Sequence, residues 1–261
     1  MDFLNKESFN FNDLVEIMKY LRAPDGCPWD RVQTHESIRS NFIEETYEVI
    51  EAIDNKDSEL LKEELGDVLL QVVFHSEMSA EENEFDINDV INGVCKKLIE
   101  RHPHVFGDVK AENSDEALKS WDNVKMTKKS QKKQSEAMDS VSKALPSLMR
   151  AEKIQKKAAK VGFDWDSIDG ALDKIVEETD ELKDAVKRND FNAQSEELGD
   201  LLFSVVNVSR FIKVDSEKAL YDACDKFTDR FKAMEKLAEE RSVDIKTASL
   251  SQLDSLWDEV K

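Results

Sequence analysis

The chain has 261 residues, a formal net charge of −20, 40% hydrophobic and 36% charged residues. That length suits two domains of roughly 100–150 residues, and the hydrophobic share supplies a core for each. The acidic field repels nucleic acid, and three cysteines without a CxxC spacing imply neither a disulfide framework nor a zinc site. No run approaches the about 18 apolar residues of a membrane span. Met1 to Asn10 lacks the apolar stretch of a signal peptide, so a reducing, cytoplasmic setting is expected.

Seven glycines and four prolines leave few turns, and helical periodicity dominates in chain order. Ile38, Phe42, Val49 and Ile53 fall on one helical stripe, which carries Glu44-Glu45-Thr46-Tyr47-Glu48. A polar turn, Asp54 to Ser58, follows. The next stripe is Leu61, Leu65, Val68, Leu69 and Val72, and it carries Glu64-Leu65-Gly66-Asp67. The first half closes on Trp121-Asp122-Asn123-Val124-Lys125.

The same order then recurs. Ile175, Leu182 and Val186 accompany Glu177-Glu178-Thr179-Asp180-Glu181, and a turn at Arg188-Asn189-Asp190 follows. Leu198, Leu201, Leu202, Val205 and Val208 accompany Glu197-Leu198-Gly199-Asp200, and the chain ends Trp257-Asp258-Glu259-Val260-Lys261. The acidic words are displaced by 133 residues (177 − 44, 200 − 67). Alternation of period two is scarce. The expected fold is all-α, with two tandem-repeated helical-bundle domains over 1–125 and 142–261. Residues 126–141, rich in Lys and Ser, read as a linker or a solvated helix.

The spacing places the acids. Glu45 with Asp67 and Glu48 with Glu64 both average to Lys56. Glu178 with Asp200 and Glu181 with Glu197 both average to Asn189. An antiparallel hairpin brings residues equidistant from its turn into opposition, and each pair on one helix is at i,i+3 on a single face. Four carboxylates therefore converge across each hairpin. Unneutralised, they repel or rise in pKa, whereas a hard cation relieves them. Oxygen-only donors suit Mg²⁺, with Mn²⁺ as a substitute. A solvated acidic face is the plain alternative for one copy, and repetition at equal spacing weighs against it. A di-iron bundle would place Glu three residues before a histidine, and none of the four histidines has one. Gly66 and Gly199, each costing about 1 kcal/mol in a helix relative to Ala, suggest close backbone approach or a helix irregularity.

These words, together with Cys27-Pro28-Trp29-Asp30, Glu100 to Asp108 around His102-Pro103-His104, and Gly162-Phe163-Asp164-Trp165, closely resemble the MazG family of nucleoside triphosphate pyrophosphohydrolases over nearly the whole chain. The resemblance implies an all-α protein that works as a homodimer. It also implies Mg²⁺-dependent hydrolysis of an NTP or dNTP to the nucleoside monophosphate and pyrophosphate. Carried over residue by residue, it assigns metal binding to Glu178, Glu181, Glu197 and Asp200, with Glu45, Glu48, Glu64 and Asp67 as counterparts. It favours the C-terminal copy as the catalyst.

Basic residues fit a phosphate role beside those acids. Lys226 and Arg230 share a helix face at i,i+4, as do Lys97 and Arg101. An ordinary surface pair is the rival reading. Lys174, four residues before Glu178, and Glu196 are further substrate contacts in this scheme. Glu177 or Glu178 is the candidate general base. Trp257 with Lys261, and Trp121 with Lys125, are again at i,i+4. A Trp face can stack on a base or simply fill a core. Two other readings remain at this stage, a non-catalytic acidic interaction protein and a narrow pyrimidine dNTP pyrophosphatase.

Overall fold

A computed structural model describes residues 3–114, 116–117, 120–121 and 134–261. The chain divides into two compact units, 1–128 and 129–261. Among the described residues every regular element is a helix.

In the first unit, α1 (Phe11–Arg22) opens on a capping box in which Asn10 and Asp13 bond each other's backbone N–H. A short α2 (Pro28–Arg31) leads to α3 (Arg39–Asn55) and α4 (Ser58–Glu81). These two form the long hairpin. Lys56 adopts the left-handed conformation at its apex, and the Asp57 side chain then caps α4 through Glu59 and Leu60 N–H. Helix α1 packs across α4, and Met18, Ile38, Val73, Phe74, Met78 and Ile87 close one core. Arg22 ties the layers together. It grips Glu81 of α4 with two bonds of 2.7 Å and donates to the carbonyls of Asp30 and Gln33. α5 (Ile87–Arg101) and α6 (Pro103–Phe106) follow.

The second unit repeats the plan. α7 (Gln134–Asp139) and α8 (Ser147–Ala159) precede the hairpin of α9 (Ile168–Arg188) and α10 (Phe191–Phe211). Asn189 is left-handed at the apex, and the Asp190 side chain caps α10. α11 (Ser216–Glu240) and α12 (Leu250–Glu259) pack together through Met234, Ala238 and Leu256. Helix α8 crosses α10, pinned by Gln155, whose Nε2 donates to the Phe203 carbonyl at 2.8 Å.

Three features depart from the sequence-based expectation. Within the segment read as a linker or a solvated helix, Gln134–Asp139 form α7, which packs on α8 with Ala137 and Val141 buried while Ser135, Glu136, Asp139 and Ser140 stay exposed. Apolar residues alternate with charge in the local sequence there, but composition averages that signal away. The long hairpins also carry apolar residues on two faces. Ile43, Tyr47, Ile53, Leu65 and Leu69 remain exposed in the first, and Leu172, Val176, Val186, Leu198 and Leu202 in the second. Finally, a Cβ added to Gly66 or Gly199 would meet nothing within 4 Å, so no close approach inside the chain explains either glycine.

Candidate active site

The second hairpin brings carboxylates from both helices together. Oxygens of Glu178, Glu197 and Asp200 all lie within 4.8 Å of one another. Glu178 is only 4% exposed. Lys174, one turn earlier on α9, bonds it at 2.6 Å and Glu177 at 2.9 Å. Its ammonium is held firmly in the charged form, first by Glu178 and then by Glu177. Glu181 lies beside this group. Loss of solvent pushes its carboxyl above the usual range, and the charges of Glu197 and Glu178 push it further. Glu196, next to Glu197 on α10, is exposed.

The first hairpin holds a comparable group, with oxygens of Glu45, Glu48 and Glu64 within 4.8 Å. Asp67 faces Glu45 closely enough to raise its carboxyl, second only to loss of solvent. Glu64 is raised as well, by loss of solvent and then by Glu48 and Asp67. The position matching Lys174 is Asn41, so no lysine stands there to offset the acids.

The basic candidates occupy matched places. Lys97 and Arg101 lie eleven and fifteen residues after the N-cap Asp86 of α5, and Lys226 and Arg230 the same distances after the N-cap Asp215 of α11. Lys97 and Lys226 are exposed, while Arg101 and Arg230 are half-buried. The Arg101 guanidinium sits over the Trp121 ring at 5.2 Å, and His102 meets that ring edge-on at 4.7 Å. Trp257 is half-buried on the Met234–Ala238–Leu256 cluster, its ring 5.1 Å from that of Phe227. Lys261 pairs with Asp258 at 2.7 Å. Lys125 lies outside the described residues.

A cavity of about 650 Å³ adjoins the second acid group, within the size range of small-molecule sites. Lys174, Glu178 and Asp200 form one border, and Ile154, Phe203 and Trp165 are among the apolar walls. Glu181 and Glu197 border a separate, open groove with Asp184, Lys187 and Arg188. The acids thus contribute to a mainly apolar cavity through Glu178 and Asp200 and to a charged groove through Glu181 and Glu197. The first unit differs at the positions 133 residues earlier. Leu70, Gln71 and Phe74 stand where the cavity has Phe203, Ser204 and Asn207. Phe74 is buried in the core beside Met18, with the Arg22 guanidinium over its ring at 5.4 Å.

Sequence reasoning did not single out Trp165, Gln155 and Asn207, which line the cavity. The signal for Trp165 was present in Gly162-Phe163-Asp164-Trp165, a group of aromatics and a glycine between helices. Gln155 and Asn207 carry no local signal, because only the crossing of α8 over α10 brings them together.

Helical hairpins that oppose carboxylates across their seams, the second of them beside a pocket of metabolite size, define the class: an all-α protein with an acidic group set against a small-molecule cavity. Residues 33–106 and 167–234 each match the MazG nucleotide pyrophosphohydrolase domain. The chain is 48% identical over 251 residues to the nucleoside triphosphate pyrophosphohydrolase/pyrophosphatase MazG of Thermotoga maritima, covering 96% of this chain and 95% of that protein. It is 43% identical to the nucleoside triphosphate pyrophosphohydrolase of Escherichia coli K12, covering 95% of each. It is also 45% identical to the uncharacterized protein YabN of Bacillus subtilis, covering 96% of this chain and 51% of that one. The chain belongs to the MazG family, with the family domain present twice, and is a hydrolase of that class.

Proposed function

We propose that the C-terminal unit hydrolyses nucleoside or deoxynucleoside triphosphates between the α- and β-phosphates, releasing the nucleoside monophosphate and pyrophosphate, with Mg²⁺ (or Mn²⁺) at its acid group. The observation that carries this reading is the junction of the Glu178–Glu197–Asp200 oxygens with a chamber large enough for a nucleoside. The names of the Thermotoga and Escherichia relatives support the substrate class.

The residues suit a hard divalent cation. Every converging donor is a carboxylate oxygen, and the Glu181 carboxyl is raised first by loss of solvent and then by the charges of Glu197 and Glu178, a repulsion that a cation would offset. Glu178, Glu181, Glu197 and Asp200 would hold the ion, with Glu45, Glu48, Glu64 and Asp67 as the corresponding set. When bound, Mg²⁺ neutralises phosphate charge and acidifies water. The chain's own groups do the rest. Lys174, which spans Glu177 and Glu178, would offer its ammonium to the phosphates from the same helix face. Glu177, exposed on the same turn, then accepts the proton of the attacking water. Lys226 and Arg230 contribute positive charge for the departing pyrophosphate. The exposed apolar residues of α9 and α10 suit a second copy of the hairpin, so the working form is a homodimer.

The N-terminal unit serves structure or regulation in this scheme, since Phe74 fills the place that Asn207 leaves open. The test is pyrophosphate release from a nucleotide panel with and without Mg²⁺. Asp200→Ala or Glu181→Ala abolishes release with helix content intact, whereas Asp67→Ala retains most of it. Full activity in Asp200→Ala rules out the C-terminal acids as the centre.

A further inference from the structure

The second hairpin sets like charges against each other. Carboxylates of α9 meet those of α10 at Glu178, Glu197 and Asp200, and Glu181 feels both Glu197 and Glu178. At this range they push the two helices apart. Lys174 pairs with Glu177 and Glu178 on its own helix, which is a tie within α9 and not across the seam. On one side of the acids the helices are joined by the apex, where Asp190 caps α10 and Gln194 Nε2 donates to the Ala185 carbonyl at 3.3 Å. On the other side no turn joins them.

Arg210 stands at that open end, ten residues beyond Asp200 (210 − 200) and so about 15 Å further along α10. Its Nη2 is ion-paired with Asp164 Oδ1, in the segment that leads into α9. The two side chains are only 13% and 24% exposed. Both are seated by other contacts. Arg210 Nη2 also donates to Asn207 Oδ1 at 2.8 Å, and the guanidinium lies 4.7 Å from the Phe211 ring. Asp164 Oδ1 accepts the Trp165 N–H at 3.0 Å. The Trp165 indole lies against Gly170 of α9, where an added Cβ would sit 2.7 Å from Cε3. Ser167 then caps α9 through the Asp169 N–H. The segment is thus fixed to α9, and a pull on Asp164 is a pull on the helix that carries Glu178 and Glu181.

The first unit closes its hairpin in the same place with different residues. Arg22 of α1 grips Glu81 of α4 and donates to the Asp30 and Gln33 carbonyls, in the segment before α3. The residue 133 positions before Arg210 is Glu77, so the repeat did not simply carry one pair along. In each unit a guanidinium joins the second helix of the hairpin to the segment entering the first, on the side away from the apex.

We propose that Arg210 and Asp164 are positioning residues for the acid group: their ion pair clasps the open end of the second hairpin and holds the acids of α9 within cation-sharing distance of those of α10. The proposal rests on the cation reading of those acids and deepens it. Without the clasp the acids splay when no ion is present, and an arriving cation has to draw them together again. The loss is therefore one of cation affinity, and saturating cation recovers it.

Mn²⁺ binding to the full-length chain, measured from the electron paramagnetic resonance signal of the free ion, tests this without turnover. The ion lost in Asp200→Ala is that of the second hairpin. Arg210→Gln and Asp164→Asn each weaken it by about fivefold or more, because removing one partner leaves the other charge shielded and unpaired. Arg210→Lys, which keeps the charge, restores most of the affinity. In pyrophosphate release the two variants need more Mg²⁺ for half-maximal rate by a similar factor, while kcat at saturating Mg²⁺ stays within about twofold of wild type. A pair that served stability alone would lower the rate by one factor at every Mg²⁺ concentration. Circular dichroism confirms that each variant is folded, and Asp164→Asn carries the test if Arg210→Gln is not. The clasp is overturned if the folded variants bind the ion as wild type does, or if they lose the same fraction of rate at low and at saturating Mg²⁺. If Asp200→Ala binds as many ions as wild type, the acids are not the ion site and the clasp falls with them. Ion binding that depends on Arg210, with no pyrophosphate release from any triphosphate, would instead remove the proposed reaction and leave the clasp standing.

Discussion

Lys174 and Glu178 show how a single pair ties stability to ligand binding. A carboxylate as buried as Glu178 needs a counter-charge, and the lysine one turn away supplies it at 2.6 Å. Replacing Lys174 by Met leaves that carboxylate unpaired. Because the lysine is a third exposed, the expected cost is modest, about 2 kcal/mol in the absence of Mg²⁺. Saturating Mg²⁺ should stabilise this variant more than wild type in urea unfolding, since the ion takes over the role of the ammonium. Equal stabilisation of the two would separate Lys174 from the ion site.

His75 carries a second prediction at this scale. Its ring is stacked on His35 at 5.0 Å, with Nδ1 atoms 2.7 Å apart, and His35 Nε2 meets Ser79 Oγ at 3.3 Å. Burial and then the neighbouring His35 hold the His75 imidazole below its ordinary value of about 6.5. The unfolded chain therefore takes up this proton first as the pH falls. The stabilising effect is complete above about pH 6.5 and is lost as the pH drops from there through the folded value. Urea midpoints measured from pH 7.5 to 5.5 should fall, and they should fall less in His75→Phe.

At the scale of the element, each hairpin depends on one left-handed residue at its apex. Asn189 tolerates that conformation, whereas Lys56 carries a Cβ strain of about 1–2 kcal/mol. Lys56→Gly should therefore stabilise the first unit by roughly 1 kcal/mol, even after the extra freedom of glycine in the unfolded chain. Asn189→Gly should be close to neutral. Chemical denaturation of the two variants makes the comparison, and a loss of stability in Lys56→Gly would mean that the lysine side chain holds the turn in some other way. The hairpins also explain how the acid pattern is kept. The capping aspartates Asp57 and Asp190 set the start of the second helix, and that start determines which acids oppose which.

At the scale of the whole molecule, both long hairpins carry exposed apolar side chains. Val176 and Leu202 are exposed on α9 and α10. Patches of this kind mark an association surface. Light scattering should give wild type about twice the 29.9 kDa of one chain. Val176→Glu combined with Leu202→Glu should give a monomer that keeps its helix content, and a wild-type monomer would remove the homodimer.

Local patterning carried most of the fold. Helical period, paucity of turns and the repeated acidic words placed both hairpins, and the midpoints Lys56 and Asn189 coincide with the left-handed apices. These features are legible because i,i+3 and i,i+4 geometry depends only on neighbours along the chain. The partner of a side chain across two helices depends on how those helices cross. Gln155 facing Phe203, Trp165 seated on Gly170, and Phe74 filling what Asn207 leaves open are outcomes of packing between distant segments. The convergence of the acids across each hairpin was thus legible in the sequence by itself. The chamber beside them, lined by Asn207 where the first repeat has the buried Phe74, was decided only by the tertiary structure, because a cavity is a property of what surrounds it.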